Sequence, residues 1–349
     1  MSIIYENEIG FYISHELYIN KVCENVCTSC GNTYMLNSNL FNINTPYKNS
    51  SKLQKRIKLK EERKEFEDLV IEQEDVKQKY VSFLPHIKEY LKESSGDNKM
   101  ALETADYINK TFENFRVVDV RGKNSGSAVI KEINSSKYLF PVNTEFYCKD
   151  ICEINIYLKD RKFDVILLDP PWWNKYIRRK RKKSTDSYKM IYNDDLKQLP
   201  IENLLSDDGL LVVWCTNSKQ NSNALLTDLF PHWNVEFVSK WYWLKITKTG
   251  EPICNFSHPP GKQPYEKIIF AKRKTNKTNF PVDGKILVSI PSVLHSHKPP
   301  LMEILEKYLS KDSERLEIFA RYLLPGWTSY GNEVLKLQNE CLFKCNCME

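Results

Sequence analysis

A chain of 349 residues with 41% apolar side chains can bury a full core, as one large domain with an appendage or as two modest ones, which excludes a disordered or fibrous protein. Its 51 Lys and Arg against 45 Asp and Glu leave +6, so any attraction to a polyanion must come from local clusters rather than bulk charge. No apolar run approaches the roughly 18 residues of a membrane span. The opening "MSIIYENEIGFYISHE" carries Glu6, Glu8 and Glu16 and no Arg, which fits neither a secretory signal nor a transit peptide. A nuclear or cytosolic protein with reduced cysteines and no membrane contact is expected.

Residues 1–50 mix short apolar and aromatic pieces with Asn, Ser and Thr and end in the loop-like "NSNLFNINTPYKNSS", an N-terminal segment of uncertain fold. Cys23, Cys27 and Cys30 near the start, and Cys341, Cys345 and Cys347 near the end, each give three thiols but no clean pair of CxxC knuckles. Free thiols are therefore the default reading. Residues 51–110 form a charged helical region. From Lys52 to Glu93 the spacing predicts one long helix broken near Pro85, with Leu53, Ile57, Leu59, Phe66, Leu69 and Val70 as its docking stripe.

From about residue 111 the composition becomes that of an α/β domain. Short β-branched or aromatic runs, "FRVVDV" (115–120), "FDVILL" (163–168), "LLVVWC" (210–215), "VEFVSKWYWL" (235–244), "KIIFA" (267–271), "ILVSI" (286–290) and "LEIF" (316–319), alternate with helix-like segments. This order predicts a doubly wound, largely parallel sheet with the site at the carboxyl ends of its strands.

The continuously apolar "FDVILL" reads as a central strand, and Asp169 follows it at once. Pro170 and Pro171 fix a rigid exit whose carbonyls are expected to be free acceptors, and Trp172 and Trp173 add flat aromatic surface. An exocyclic amine on a planar base has two hydrogens to donate and a ring to stack. Asp169 can accept one hydrogen, the Pro170 carbonyl the other, and Trp172 can stack on the ring, so the pocket suits group transfer to an amine.

"DPPW" after an apolar strand resembles the signature of the adenine-directed amino-methyltransferases. "LLDPPWWNK", "LLVVWCTN", "SHKPP" and "RLEIFARYLLPGWTSYGNE" resemble, more closely, the eukaryotic DPPW-motif adenosine N(6)-methyltransferase family over roughly residues 115 to 335. The resemblance implies a Rossmann-like, S-adenosylmethionine-dependent fold with permuted motif order, which fits the absence of any GxGxxG. It also implies site residues. Asp169, Pro170, Pro171 and Trp172 would be catalytic. Asp150 and Ile151 would lie beside the cofactor's adenine, Glu317 would hold its ribose hydroxyls, and Asp169, Lys298, Phe319, Arg321, Asn332 and Glu333 would complete the cofactor pocket. The family more often has Gln where Glu333 stands. His295 and His297, two residues apart with no third ligand nearby, are read as loop or wall residues rather than metal ligands.

Lys175, Arg178, Arg179, Lys180, Arg181, Lys182 and Lys183 put seven bases within nine residues beside the motif, expected as a solvated loop that contacts phosphate or acts as a nuclear-localisation signal. "KITKTGEPICNFSHPPGKQPYEK" interleaves Lys245, Lys248, Lys262 and Lys267 with Phe256, His258 and Tyr265, which suits an unstacked strand. The expected partner is single-stranded or loop RNA. The resemblance implies a small nuclear RNA carrying a 2′-O-methylated adenosine; DNA adenine, or a catalytically inactive RNA scaffold, are the alternatives.

Overall fold

The computed structural model describes residues 2–23, 33–48, 66–93, 96–114, 117–172, 191–259, 261–274 and 280–346. In chain order the strands are β1 (Ile3–Glu6), β2 (Gly10–Ile13), β3 (Thr33–Leu36), β4 (Val120–Asn124), β5 (Val129–Ile133), β6 (Ser136–Phe140), β7 (Thr144–Cys148) and β8 (Phe163–Leu168). They continue with β9 (Leu205–Cys215), β10 (Val235–Lys245), β11 (Tyr265–Arg273), β12 (Ile286–Ser289), β13 (Arg315–Ile318), β14 (Thr328–Tyr330) and β15 (Phe343–Asn346). Three longer helices are α1 (His15–Cys23), α2 (Glu67–Ile87) and α3 (Lys99–Asn114).

Eleven strands form one sheet in the order β1-β2-β12-β10-β11-β9-β8-β13-β14-β7-β4. All but β1, β11 and β4 run in one direction, as the alternation of strands and helices predicts. Strand β8 is buried on both faces. Val165 and Leu167 join one apolar cluster, Phe163, Ile166 and Leu168 the other, which is why it reads as an unbroken apolar run. From β8 the chain moves to β9 on one side, whereas the late strands β13 and β14 lie on the other. The order thus reverses between β8 and β13, the place where such sheets open a ligand crevice.

Several elements differ from expectation. The predicted strand over 115–120 is displaced: β4 begins only at Val120, because Asp119 at φ 58° turns the chain just before it. Within the N-terminal segment β1 and β2 join the eleven-stranded sheet, with β2 parallel to β12, while Phe11, Ile13 and Phe41 lie in the main core. Pro85 does not break α2, which runs on to Ile87, since in the last turn it forfeits only one backbone hydrogen bond. The docking stripe of α2 is Glu72, Val76, Tyr80, Phe83 and Ile87 at steps of four and three, while Val70 is exposed; Leu53, Ile57 and Leu59 lie outside the described residues.

Candidate active site

Because β7, β14, β13 and β8 are parallel, their carboxyl ends share one edge of the sheet, and the sequence places an unusual residue after each. Asp150 follows β7, Asn332 and Glu333 follow β14, Phe319 follows β13 and Asp169 follows β8. The same edge receives Lys245 from the end of β10 and Glu266 from the start of antiparallel β11. The loop after β12 adds Ser296 and Lys298.

These groups form a chain of alternating charge. Asp169 is 7% exposed; its Oδ2 accepts from Ser296 Oγ at 3.0 Å and from an Arg321 Nη at 3.1 Å, and its Oδ1 lies 3.4 Å from Lys298 Nζ. Lys298 donates to Glu266 Oε2 at 2.6 Å, and Glu266 also pairs with Lys245. On the other side Arg321 Nε donates to Glu333 at 3.1 Å, which pairs with Lys336. Burial alone would lower the Lys298 ammonium, but Asp169 and Glu266 outweigh it and hold it above its ordinary value. Burial would likewise raise Glu266, yet Lys245 and Lys298 hold its carboxyl far below the carboxylate range. Lys298 also sits over the Trp214 ring, 5.4 Å from its centroid.

The exit from β8 is more tightly bound than the prolines alone suggest. The Pro170 carbonyl already accepts from Trp172 N–H at 2.8 Å and the Pro171 carbonyl from Ile191 N–H at 3.1 Å, so neither is wholly free. Each keeps its second lone pair. Trp172 is 6% exposed, and its indole N–H donates to the Trp214 carbonyl at 2.8 Å, which fixes the ring.

The cofactor half of the edge holds an orphan. Glu317 on β13 is 4% exposed with Oε2 unpartnered, and its cross-strand neighbour Ser329 has an unpartnered Oγ. Burial, reinforced by Asp169 and opposed by Arg321, pushes Glu317 up to about 8. Two buried polar groups without partners among the described residues, a carboxyl and a hydroxyl that can each donate and accept, fit a ligand rich in hydroxyl and amine groups, as S-adenosylmethionine is. Close by, Gly331 is required: at φ 146° a Cβ would come within 3.1 Å of Phe319 Cα, itself at φ 65°. Ile151 is half-buried, Asn332 is exposed, and the Asp150 side chain accepts from Cys152 N–H at 3.0 Å.

Glu317 makes stability pH-dependent. Its folded carboxyl holds a proton up to about pH 8, whereas the unfolded one ionises near its ordinary value, so stability should fall as pH rises through that window. Glu317→Gln should flatten the fall. Melting curves across the window check this, and parallel profiles for the two proteins would exclude an unpaired protonated carboxyl.

Lys245, Glu266 and Ser296 were not singled out as pocket residues by the sequence. A carboxylate opening the apolar run of β11 was the available signal for Glu266; nothing marked Ser296, whose φ of 55° is visible only in the fold. His297 is 3% exposed with both ring nitrogens unpartnered among the described residues, and burial and Arg321 push it down to about 4. The aromatic-basic loop is only partly as expected. Lys245 is committed to Glu266, and Lys267 is 3% exposed and faces Glu72 at 2.8 Å, because alternation along β11 turns it away from Glu266. Tyr265 is core, whereas Lys262 lies over the Tyr47 ring and His258 is exposed. Trp173, Lys175 and the bases Arg178 to Lys183 lie outside the described residues.

Residues 163–333, from the start of β8 to Glu333, match the MT-A70 family, whose methyltransferases take the methyl group from S-adenosylmethionine. The chain is 41% identical over 236 residues to the human N(6)-adenine-specific methyltransferase METTL4, covering 64% of this chain and 48% of that protein. It is 44% identical over 181 residues to the N6-methyladenosine RNA methyltransferase MTA1 of Cryphonectria parasitica, 50% of this chain and 53% of that one. Against the DNA N6-methyl methyltransferase of Caenorhabditis elegans it is 33% identical over 230 residues, 65% and 61% respectively. The chain spans about half the length of the mammalian relatives it matches. The matched segment holds β8, β13 and most of the residues that meet at their ends, so the chain carries an MT-A70 domain, that of a family of S-adenosylmethionine-dependent methyltransferases, over residues 163–333.

Proposed function

We propose that the protein methylates the 6-amino group of adenosine in RNA. The observation that carries this is Asp169, clamped by Lys298, Arg321 and Ser296 at the switch between β8 and β13, beside a backbone acceptor that keeps a spare lone pair. In this reading Asp169 accepts one amine hydrogen and the Pro170 carbonyl the other, so the nitrogen lone pair is freed from the ring. Trp172 gives the base a rigid aromatic contact over its small exposed part. Glu317 and Ser329 take the donors of S-adenosylmethionine, which supplies a methyl carbon whose leaving group departs uncharged. The protein's own contribution is in-line positioning.

Support for RNA over DNA comes from two relatives named for RNA, 44% and 34% identical, beside one named for DNA at 33%. The family resemblance narrows the proposal to a 2′-O-methylated adenosine of small nuclear RNA, and hence to the nucleus. Mass spectrometry of modified adenosines in small nuclear RNA, messenger RNA and DNA, with and without the protein, tests it. A gain confined to DNA would move the substrate; no gain, with no calorimetric binding of S-adenosylmethionine, would leave an RNA-binding scaffold. Neutralising the six bases from Arg178 to Lys183 should weaken RNA binding at least about tenfold and flatten its salt dependence. Unchanged affinity and slope in a salt titration would reduce that block to a localisation signal.

A further inference from the structure

The exit from β8 borders a recess that the cofactor half of the edge does not include. Ile191 returns beside Trp172 as a parallel bridge, its N–H on the Pro171 carbonyl at 3.1 Å, so the chain from Tyr192 onward starts at the motif. On the neighbouring parallel strand, β9 ends at Cys215, and Thr216 follows it at the same edge of the sheet. Next to these two exits lies an open cleft of about 250 Å³, with Tyr192, Asn193, Gln220 and Asn221 on its described walls.

The walls specify what the cleft can hold. Three carboxamides and a phenol are neutral groups that both donate and accept, and Tyr192 is 61% exposed. The buried Asn221 amide is set in place by its Nδ2, which donates to Thr216 Oγ1 at 2.9 Å, so its Oδ1 is the acceptor left for a ligand. Charge disfavours a phosphate: Lys219, between the wall residues, is tied to Asp68 at 3.2 Å, and Asp194 and Asp195 directly follow Asn193. Size disfavours a second cofactor, since pockets for drug-sized ligands run from roughly 300 to 1,000 Å³. Glu317 and Ser329, the groups suited to S-adenosylmethionine, lie across β8 on β13 and β14. A small, flat, neutral group with donors and acceptors along its edge remains, and a nucleobase is such a group.

We propose that this cleft takes the base next to the target adenosine, with Asn193, Gln220 and Asn221 reading its edge and Tyr192 stacking on its face. The inference rests on the proposed function, since a target held at Asp169 and Trp172 brings its neighbour in the strand to Ile191 and Tyr192. Carboxamides pair with a base edge in bidentate fashion, and single-stranded bases are read in this way once splayed onto an aromatic side chain. The protein thus selects its adenosine by the flanking base as well as by the amine it methylates.

Short RNAs with one target adenosine, and each of the four bases in turn at either flanking position, test this under single-turnover conditions. The full chain should favour one base at one flank by at least about fivefold, the low end for a bidentate contact; equal rates and equal affinities at both flanks overturn the proposal. Gln220→Ala combined with Asn193→Ala, side chains that are exposed and half-buried, should erase the preference, the favoured rate falling to that of the others. Tyr192→Ala should weaken binding of every member about fivefold or more. A preference that survives in the double variant assigns the reading to other residues and overturns the cleft. Fluorescence anisotropy of the same sequences as RNA and as DNA keeps the two readings apart. Flank-dependent binding that the double variant loses, without methylation of either polymer, removes the proposed activity and upholds the cleft; methylation with no dependence on either flank does the reverse.

Discussion

Asp169→Ala should lower the rate of methyl transfer by about two to three powers of ten, the loss typical when one preorganised polar group is removed from a reacting centre. The variant should nevertheless fold. Each cation that Asp169 engages has a second anion: Lys298 keeps Glu266 at 2.6 Å and Arg321 keeps Glu333 at 3.1 Å. No buried charge is stranded, so the penalty of several kcal/mol for breaking an isolated buried pair does not apply. Single-turnover methyl transfer on an adenosine-containing RNA, read beside a melting curve, separates the two effects. A rate near wild type would remove Asp169 from the chemistry, and a collapsed melting temperature would mean that the charge chain is the sheet's support rather than the site's.

Glu72→Ala should be the most destabilising single change outside the site, costing about 3–5 kcal/mol. Glu72 is 9% exposed on the docking face of α2, 2.8 Å from Lys267 Nζ and 2.6 Å from Lys240 Nζ. Burial would raise its carboxyl, but Lys267 and Lys240 overcome that and hold it below the ordinary value. A depressed carboxyl contributes stability above its unfolded pKa and loses it as acid protonates the folded state, so the contribution is complete at neutral pH. Removing the acid leaves Lys267, 3% exposed, charged and buried without its one ion-pair partner among the described residues. Lys240 is less confined, so Lys267 sets the cost. Urea unfolding of Glu72→Ala against Glu72→Gln measures it; a loss under about 1 kcal/mol would mean that water reaches the lysine.

The contrast between these two acids shows what could be read in advance. Asp169 was legible because its strand, its prolines and its tryptophan are contiguous, and a buried central strand is written as an uninterrupted apolar run. Glu72 was not, because it sits among charges on a helix where most are wetted, and only the steps of four and three through Val76, Tyr80, Phe83 and Ile87 show which face is turned inward. Most of the sheet core followed from its β-branched runs. The four-residue strands β1 and β2 did not, since short segments among polar neighbours carry little periodicity and gain their structure from β12. Lys245, Glu266 and Ser296 come from three separate elements, and their meeting is a property of the topology rather than of any local pattern. The two proline carbonyls were read as free because a sequence shows which groups lack donors but not which donors will arrive.

The pairing of β2 with β12 also bears on how the chain is made. Translation proceeds from the amino end, so Phe11, Tyr12 and Ile13 leave the ribosome long before Leu287 and Val288, the strand they must lie against. For most of synthesis β2 has no neighbour in this sheet but β1. Closing so distant a contact is slow, and an apolar strand waiting that long invites pairing with another molecule. The nascent chain is therefore most exposed at β1 and β2, and a holdase that shelters these strands until β12 appears would be expected to raise its folded yield more than one acting late.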